Sequence, residues 1–495
     1  MAIAVVEERE LLKSLRWWDG FVIAMCNPGF LISELGFSMG ALGTTGAVTL
    51  WLVSAAIGMM QAWIYAETAA MFPDKPGGIS LYAHEGWRGR FSLAGPIGAF
   101  GYWIGWSVVL SIFGRLIGDL IMNQWFPAHL TTNVFSDGVI TGGVTPSILI
   151  GIGCILLVWF LNVFGLRPAV WVSYITGAGL LLPLGLFIIV PYFTGHWHSS
   201  NMTWALHGYT GFETGMVFLF LFGWSSYAAE VCATFSPEYK DTRRDTTIAL
   251  RSASIFTLLV FCLFPLGLGG VTGVPPASGQ EGQFYTTAFA TIVGHGWASF
   301  FTACLIGSLF LSMISSTADG SRALYGIARD DMTIKQLHHL NRYHVPARAM
   351  TVDLVVNVGL LLLISSNLAI LYLSNIGYIT AHILALTGFL WLRKDRPDWP
   401  RPIKVGKAWI YLAWLCIVAD CSFLGYGLAN PGLAYGVTSK DTWIGLGILV
   451  GSVLLFVFRR VVQDHKPITL REEVPKMPNP QQLAYLEQEM QRTAR

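Results

Sequence analysis

The sequence predicts an all-α polytopic membrane protein with twelve transmembrane helices. Three observations carry that expectation. The 495 residues are 54% hydrophobic and only 12% charged, where a soluble domain carries about 25% charged residues. Twelve apolar runs are close to the ~20 residues that cross a bilayer: 20–46, 47–71, 95–122, 146–164, 169–193, 212–235, 252–273, 296–318, 350–365, 368–391, 408–429 and 442–461. With the N-terminus inside and the runs alternating, all but Arg115 and Lys440 of the 31 Lys and Arg fall on the inner side, as the bias of cytoplasmic loops toward basic residues requires. An odd number of spans would scatter that pattern. Both termini are therefore expected in the cytoplasm, and the protein in the plasma or inner membrane.

The segments between the runs are read in order. Residues 1–19 form a charged cytoplasmic N-terminus without the apolar core and cleavage site of a signal peptide. The outer loops 123–145, 194–211, 274–295 and 430–441 are polar and aromatic, and their glycines and prolines predict turns. The inner loop 322–349 is long, mixed in charge, and has room for a short helix. The ninth run is short. The tail 463–495 is a solvated cytoplasmic segment in which Asn479-Pro480-Gln481-Gln482 matches the start of a short helix with Leu483, Leu486 and Met490 on one face. The seven cysteines lie in or beside apolar runs and predict small packing residues, not disulfides.

The first run contains Met25-Cys26-Asn27-Pro28-Gly29-Phe30. Pro28 has no N–H, so the carbonyl of Ala24 loses its helical partner, and Gly29 lets the backbone leave the helix cheaply. Bare peptide groups in lipid are tolerated where they line a cavity, and there they hold a polar ligand or an ion. The run reads as half of a substrate site, with Asn27, Gly29 and Phe30 as its residues, or as a proline kink repaired by neighbouring helices. The sixth run holds Phe222-Gly223-Trp224-Ser225-Ser226-Tyr227-Ala228-Ala229-Glu230. A glycine with a serine pair is a recognised cause of kinks. Interruptions in corresponding runs of two halves point to a transporter site at mid-membrane. Trp224, Ser225, Ser226 and Tyr227 would form the opposite wall, unless the aromatics pack only against neighbouring helices.

Other polar residues inside the runs have two readings each. Glu230 holds an ammonium or a proton, or pairs with an inner arginine. Trp103, Trp106 and Ser107 in the third run wall the pocket or pack. Ser315 and Ser316, with Ser312 and Thr317, supply oxygens for a sodium ion beside the first break, or bond between helices. Glu67 is expected to be structural, Arg115 and Asp119 to pair along one helix, and Asp353 and Asp420 to be paired or near an interface.

Three motifs then resemble the amino acid–polyamine–organocation permeases. Tyr65-Ala66-Glu67-Thr68 through Phe72-Pro73 and Gly77-Gly78-Ile79-Ser80-Leu81-Tyr82 is similar to the family's Y-x-E-L-x-x-x-F-P-x-x-G-G-x-Y signature. Ser236-Pro237-Glu238-Tyr239 with Arg243-Arg244 resembles its N-P-x-x-x-x-P-R-A segment. Ser321-Arg322-Ala323-Leu324-Tyr325-Gly326-Ile327-Ala328-Arg329-Asp330 is similar to S-R-x-x-Y-A-x-A-R-D. The resemblance implies a five-plus-five inverted repeat of the leucine-transporter-like fold in residues 20–391, two peripheral helices in 392–462, and uptake or exchange of amino acids or amines by alternating access. The family's span 1 carries G-S-G-I-F; here the aligned residues are Asn27-Pro28-Gly29-Phe30, with one amide donor fewer and one side-chain amide more.

Together these readings predict a permease for a small amino acid or related amine, with a polyamine or amino-alcohol transporter as alternative and a non-transporting sensor as a remote one. An enzyme is not expected, because no run pairs a nucleophile with a base. No cofactor is expected, sodium or proton coupling stays open, and the partners are the amine substrate and the lipid bilayer, not nucleic acid.

Overall fold

In the computed structural model, residues 11, 13–129, 133–134, 143–275, 281–364, 366–478 and 483 are described. The first apolar run forms α1 (Trp17–Ala24) and α2 (Asn27–Leu42), and α3 (Thr44–Met71) follows directly. A short α4 (Gly78–Trp87) leads into α5 (Ala94–Ser107) and α6 (Val109–Trp125), one span bent at Val108. Then come α7 (Pro146–Val163), α8 (Leu166–Thr194), α9 (Gly208–Ser226), the single turn α10 (Val231–Thr234) and α11 (Thr242–Thr272). The last third holds α12 (Glu281–Arg329), α13 (Ala347–Leu363), α14 (Asn367–Asp395), α15 (Ala408–Ala429) and α16 (Ser439–Phe458). Among the described residues no strand forms beyond an isolated bridge between Leu15 and Tyr239.

Eleven of these helical stretches are long and apolar enough to cross a membrane. The expected ninth span, α13, has 17 residues and is not among them; at ~1.5 Å per residue it extends about 25 Å. Burial separates the spans into two kinds. Of the most apolar window, 94% is buried in the α9–α10 span, but only 28% in α15 and 22% in α16. The first is enclosed by protein, and the last two lie at the surface of the bundle.

Helix–helix packing supplies little hydrophobic gain inside lipid, so close backbone approach takes its place. Helix α14 lies on α5 where Gly101 meets Gly377, and on α4 where Gly86 meets Gly388. A Cβ on any of the four would strike the opposite backbone.

Three expectations are corrected. The second part of the outer loop 274–295 is helical: α12 begins at Glu281 and turns at Gly294, whose φ of 76° suits a residue without a Cβ. The same helix continues to Arg329, so the start of the inner loop 322–349 is helix too, and the short helix expected there is a 3₁₀ turn at Lys335–His338. Arg115 donates to the carbonyls of Leu361 and Ile364, each at 2.8 Å, closing the C-terminus of α13, rather than serving Asp119 alone. All seven cysteines are free. The proposed tail helix at 479–482 lies outside the described residues.

The basic face is held by buried ion pairs. Glu67, as expected, is structural: it accepts from Arg393 at 2.9 and 2.5 Å, from the Val405 N–H at 2.8 Å, and pairs with Arg401 at 3.3 Å. Arg322 pairs with Glu238. Glu85 pairs with Arg396 at 2.6 Å, Lys75 at 2.8 Å and Arg88 at 3.3 Å, and Lys75 also reaches Asp330 at 3.1 Å. The tail is stitched to this face through Glu472 N–H to the Arg88 carbonyl at 2.7 Å and Ser92 N–H to the Leu470 carbonyl at 2.9 Å.

Candidate functional site

The first break is where the sequence puts it. Helix α1 ends at Ala24, Met25 and Cys26 form a turn, and α2 restarts at Asn27 with Pro28 in its first turn, where a missing N–H is harmless. The Cys26 carbonyl accepts from Gly29 N–H at 2.9 Å and from Ser312 Oγ of α12 at 2.8 Å. A Cβ at Gly29 would collide with that serine hydroxyl, so the glycine is fixed by the close approach of α12. Asn27 turns away from the sixth span and donates from Nδ2 to Thr257 Oγ1 of α11 at 2.8 Å.

The second break lies one turn later than Gly223-Trp224-Ser225-Ser226. Helix α9 runs through Ser226, with Tyr227 N–H still bonded to the Gly223 carbonyl at 3.2 Å; it becomes irregular at Tyr227, passes through a 3₁₀ turn at Ala228–Glu230, and resumes as α10. Gly223 permits a break but, unlike a proline, removes no hydrogen-bond donor, so the glycine and the serine pair stay helical.

Aromatic rings fill the space between the breaks. Phe30 lies 4.6 Å from Trp224, 5.3 Å from Trp106 and 5.4 Å from Phe113, measured between ring centroids. Trp224 donates its indole N–H to the Gly105 carbonyl at 2.6 Å. Trp106 donates to Glu230 Oε1 at 3.1 Å, and Tyr378 of α14 donates to the same oxygen at 2.6 Å. Glu230 Oε2 is buried with no hydrogen-bond partner. Among the described residues Glu230 pairs with no arginine; its Oε1 accepts from two neutral donors.

The remaining predicted residues divide. Trp103 donates to Asp353 Oδ1 at 2.6 Å, and Ser107 accepts from Asn357 Nδ2 at 2.9 Å, so both face α13. Ser225 donates to Glu34, while the Ser226 hydroxyl is buried without a partner. Tyr227 points to α15, donating to Asp420 Oδ1 at 2.7 Å, and Gln61 donates to the other oxygen at 2.9 Å. Asp353 and Asp420 are thus held by neutral donors, not by ion pairs. Ser315 and Ser316 bury unpartnered hydroxyls, while Ser312 is the serine that touches the first break.

Two acids not singled out in the sequence belong to this region. Glu34, in α2, keeps one oxygen unpartnered, and Asp319, in α12, has both oxygens buried and unpartnered beside the Tyr102–Thr234 hydrogen bond and within electrostatic reach of Glu230. Each is a lone acid in an apolar helix, a signal that was available. Among the described residues no salt bridge reaches Glu34, Glu230, Asp319, Asp353 or Asp420. Carboxylates left this way in a low-dielectric interior are completed by a cation or a proton.

The comparisons agree with this architecture. A family model described as amino acid permease matches residues 15–454. The polyamine transporter PUT1 of Oryza sativa subsp. japonica is 27% identical over 86% of this chain and 75% of its own length. The arginine/ornithine antiporter of Pseudomonas aeruginosa is 24% identical over 64% of each chain. The cadaverine/lysine antiporter of Escherichia coli K12 is 26% identical over 66% of this chain and 69% of its own. These relatives are transporters, not enzymes. A multi-pass helical protein whose permease motifs fall in order along nearly its whole length belongs to the amino acid permease family, within the amino acid–polyamine–organocation superfamily.

Proposed function

We propose that this chain is a secondary active transporter that carries a small amino acid or related amine across the plasma or inner membrane by alternating access. The observation that carries the reading is Glu230, a buried carboxylate with one free oxygen, held by Trp106 and Tyr378, with Phe30 packed on Trp106 and Trp224 packed on Phe30. An ammonium fits there twice over, as the partner of the carboxylate and as a cation over aromatic faces. Gly29 keeps the first break close to α12, and Trp103 and Ser107 complete the wall toward α13. In the same reading α13 is the ninth of twelve spans, residues 20–391 form the inverted-repeat core, 392–462 the two peripheral helices, and both termini are cytoplasmic.

A specific observation favours a di- or polyamine over an α-amino acid. Glu34, Asp319 and Asp353 add unpartnered carboxylate oxygens to that of Glu230, and Pro28 withdraws a donor where a substrate carboxylate would bind. The name of the rice relative supports the same choice, and that of the Escherichia coli relative pairs a diamine with an amino acid. Amino alcohols are the next class. Ser315 and Ser316 are the oxygens for a sodium ion, and Asp319 the group for a proton, as coupling devices.

The test is a thermal-shift screen of purified protein with amino acids, diamines, polyamines and amino alcohols, followed by uptake of the best ligand into proteoliposomes. A ligand that binds the folded state alone raises the melting temperature by mass action. Diamines and polyamines should stabilise most. Uptake should vanish in Trp224→Ala with the fold intact. No shift with any amine, or uptake unchanged by Trp224→Ala, sinks the site.

A further inference from the structure

We propose that the basic pocket between the start of α11 and the loop before α15 binds the phosphate headgroup of an anionic phospholipid. The inference is independent of the substrate reading. The pocket is a cavity of about 590 Å³ lined by Arg243, Arg244, Thr247 and Arg251 of α11, with Pro402 and Ile403 closing the other side. One acid lines it, Asp241, and that carboxylate accepts from the Arg244 backbone N–H at 3.0 Å as the cap of α11. The Arg244 and Arg251 guanidinium groups against one carboxylate leave the pocket positive. Arg244 and Arg251 are exposed and in no salt bridge among the described residues.

The surroundings select a lipid over a free anion. The Arg251 guanidinium lies 5.2 Å from the Trp63 ring, and Trp63 stacks on Trp409 at 5.7 Å. Such an aromatic pair marks the headgroup level of a membrane, and a guanidinium held over a ring face keeps its N–H edge for a phosphate. Arg244, Ile248 and Arg251 fall on one stripe of α11 at helical spacing, and Ile255, Leu259 and Leu263 continue it. Those three apolar residues are 43%, 53% and 39% exposed, so the stripe passes from charge to a lipid-facing surface. A molecule with a phosphate at one end and acyl chains at the other matches the whole feature, and basic pockets between spans are where anionic headgroups are held.

The test uses the purified full-length protein, with phosphatidylcholine vesicles either pure or doped with phosphatidylglycerol, and inorganic phosphate as a separate probe. Phosphatidylglycerol should bind the parent about thirtyfold more tightly than the Arg244→Gln, Arg251→Gln double variant, and about fivefold more tightly than Arg244→Gln alone. Arg348→Gln, elsewhere on the basic face, should bind as the parent does, and all proteins should melt alike in pure phosphatidylcholine. If the double variant does not fold, the single exposed Arg244→Gln carries the measurement. Equal phosphatidylglycerol binding by parent and folded variants overturns the proposal. So does inorganic phosphate that stabilises the parent as well as the lipid does, since the site would then hold a soluble anion.

Discussion

The ring of Phe30 lies 4.6 Å from the ring of Trp224, just past one helix break and just before the other. The two broken spans therefore meet through aromatic rings, and Trp106, which packs on Phe30, and Tyr378 hold the carboxylate of Glu230. The amine site proposed at Glu230 is linked to Phe30 through Trp106.

Phe30→Leu keeps the volume apolar but removes a ring face. Loss of a cation–ring contact corresponds to roughly 0.5–2 kcal/mol, or about a two- to thirtyfold weaker affinity. Equilibrium binding of the labelled amine checks this, and an affinity equal to the parent's removes Phe30 from the site.

Glu230→Gln preserves an acceptor oxygen for Trp106 and Tyr378 while deleting the charge. Affinity for the amine should fall by roughly 2–5 kcal/mol of binding free energy, as for a buried charge pair losing one partner. The melting temperature without ligand should stay within a few degrees or rise, because an unpaired buried charge is gone. Undiminished binding would show that the carboxylate serves the fold alone.

Arg322→Met should be among the most destabilising changes on the basic face. Its guanidinium is fully buried, pairs with Glu238 and donates to the Ala318 carbonyl at 2.7 Å. Removing it leaves Glu238 as an uncompensated buried charge, at about 3–5 kcal/mol. Glu238→Gln paired with Arg322→Met should recover much of that loss in thermal unfolding; no recovery would mean that packing, not charge, sets the effect.

The pH dependence of stability should carry the mark of Glu85. Burial disfavours its charged form, but Lys75, Arg396, His84 and Arg88 outweigh burial and hold the carboxyl well below its ordinary value of 4.5. A depressed value in the folded state stabilises the fold above the ordinary value, and that stabilisation is lost as pH falls from there toward the depressed one. Thermal unfolding of the parent should therefore drop across the acid side of pH 4.5. Glu85→Gln should be less stable at neutral pH and flatter across that window; an identical profile would assign the acid loss to other groups.

The sequence and the structure part ways where backbone chemistry gives out. Pro28 removes a donor, so its break is fixed locally and appears where expected. The sixth span has no such residue at Gly223, and the helix continues to Ser226 before yielding at Tyr227. Asn27 and Tyr227 were legible as polar residues beside the breaks, but not their partners, because Thr257 and Asp420 lie far away in the chain. Asp319 was missed because the eighth run was ended at residue 318, just short of it, whereas α12 continues to Arg329. Glu34 was passed over although an acid within a span is a functional signal in itself.

Where Gly101 lies on Gly377 and Gly86 on Gly388, the backbone of helix α14 meets its neighbours directly, with the Ile104 and Tyr378 side chains packed beside the first contact. The spacing of these helices is set at two points by main-chain atoms, so a single methyl group added there has no side chain to displace and must move a whole helix.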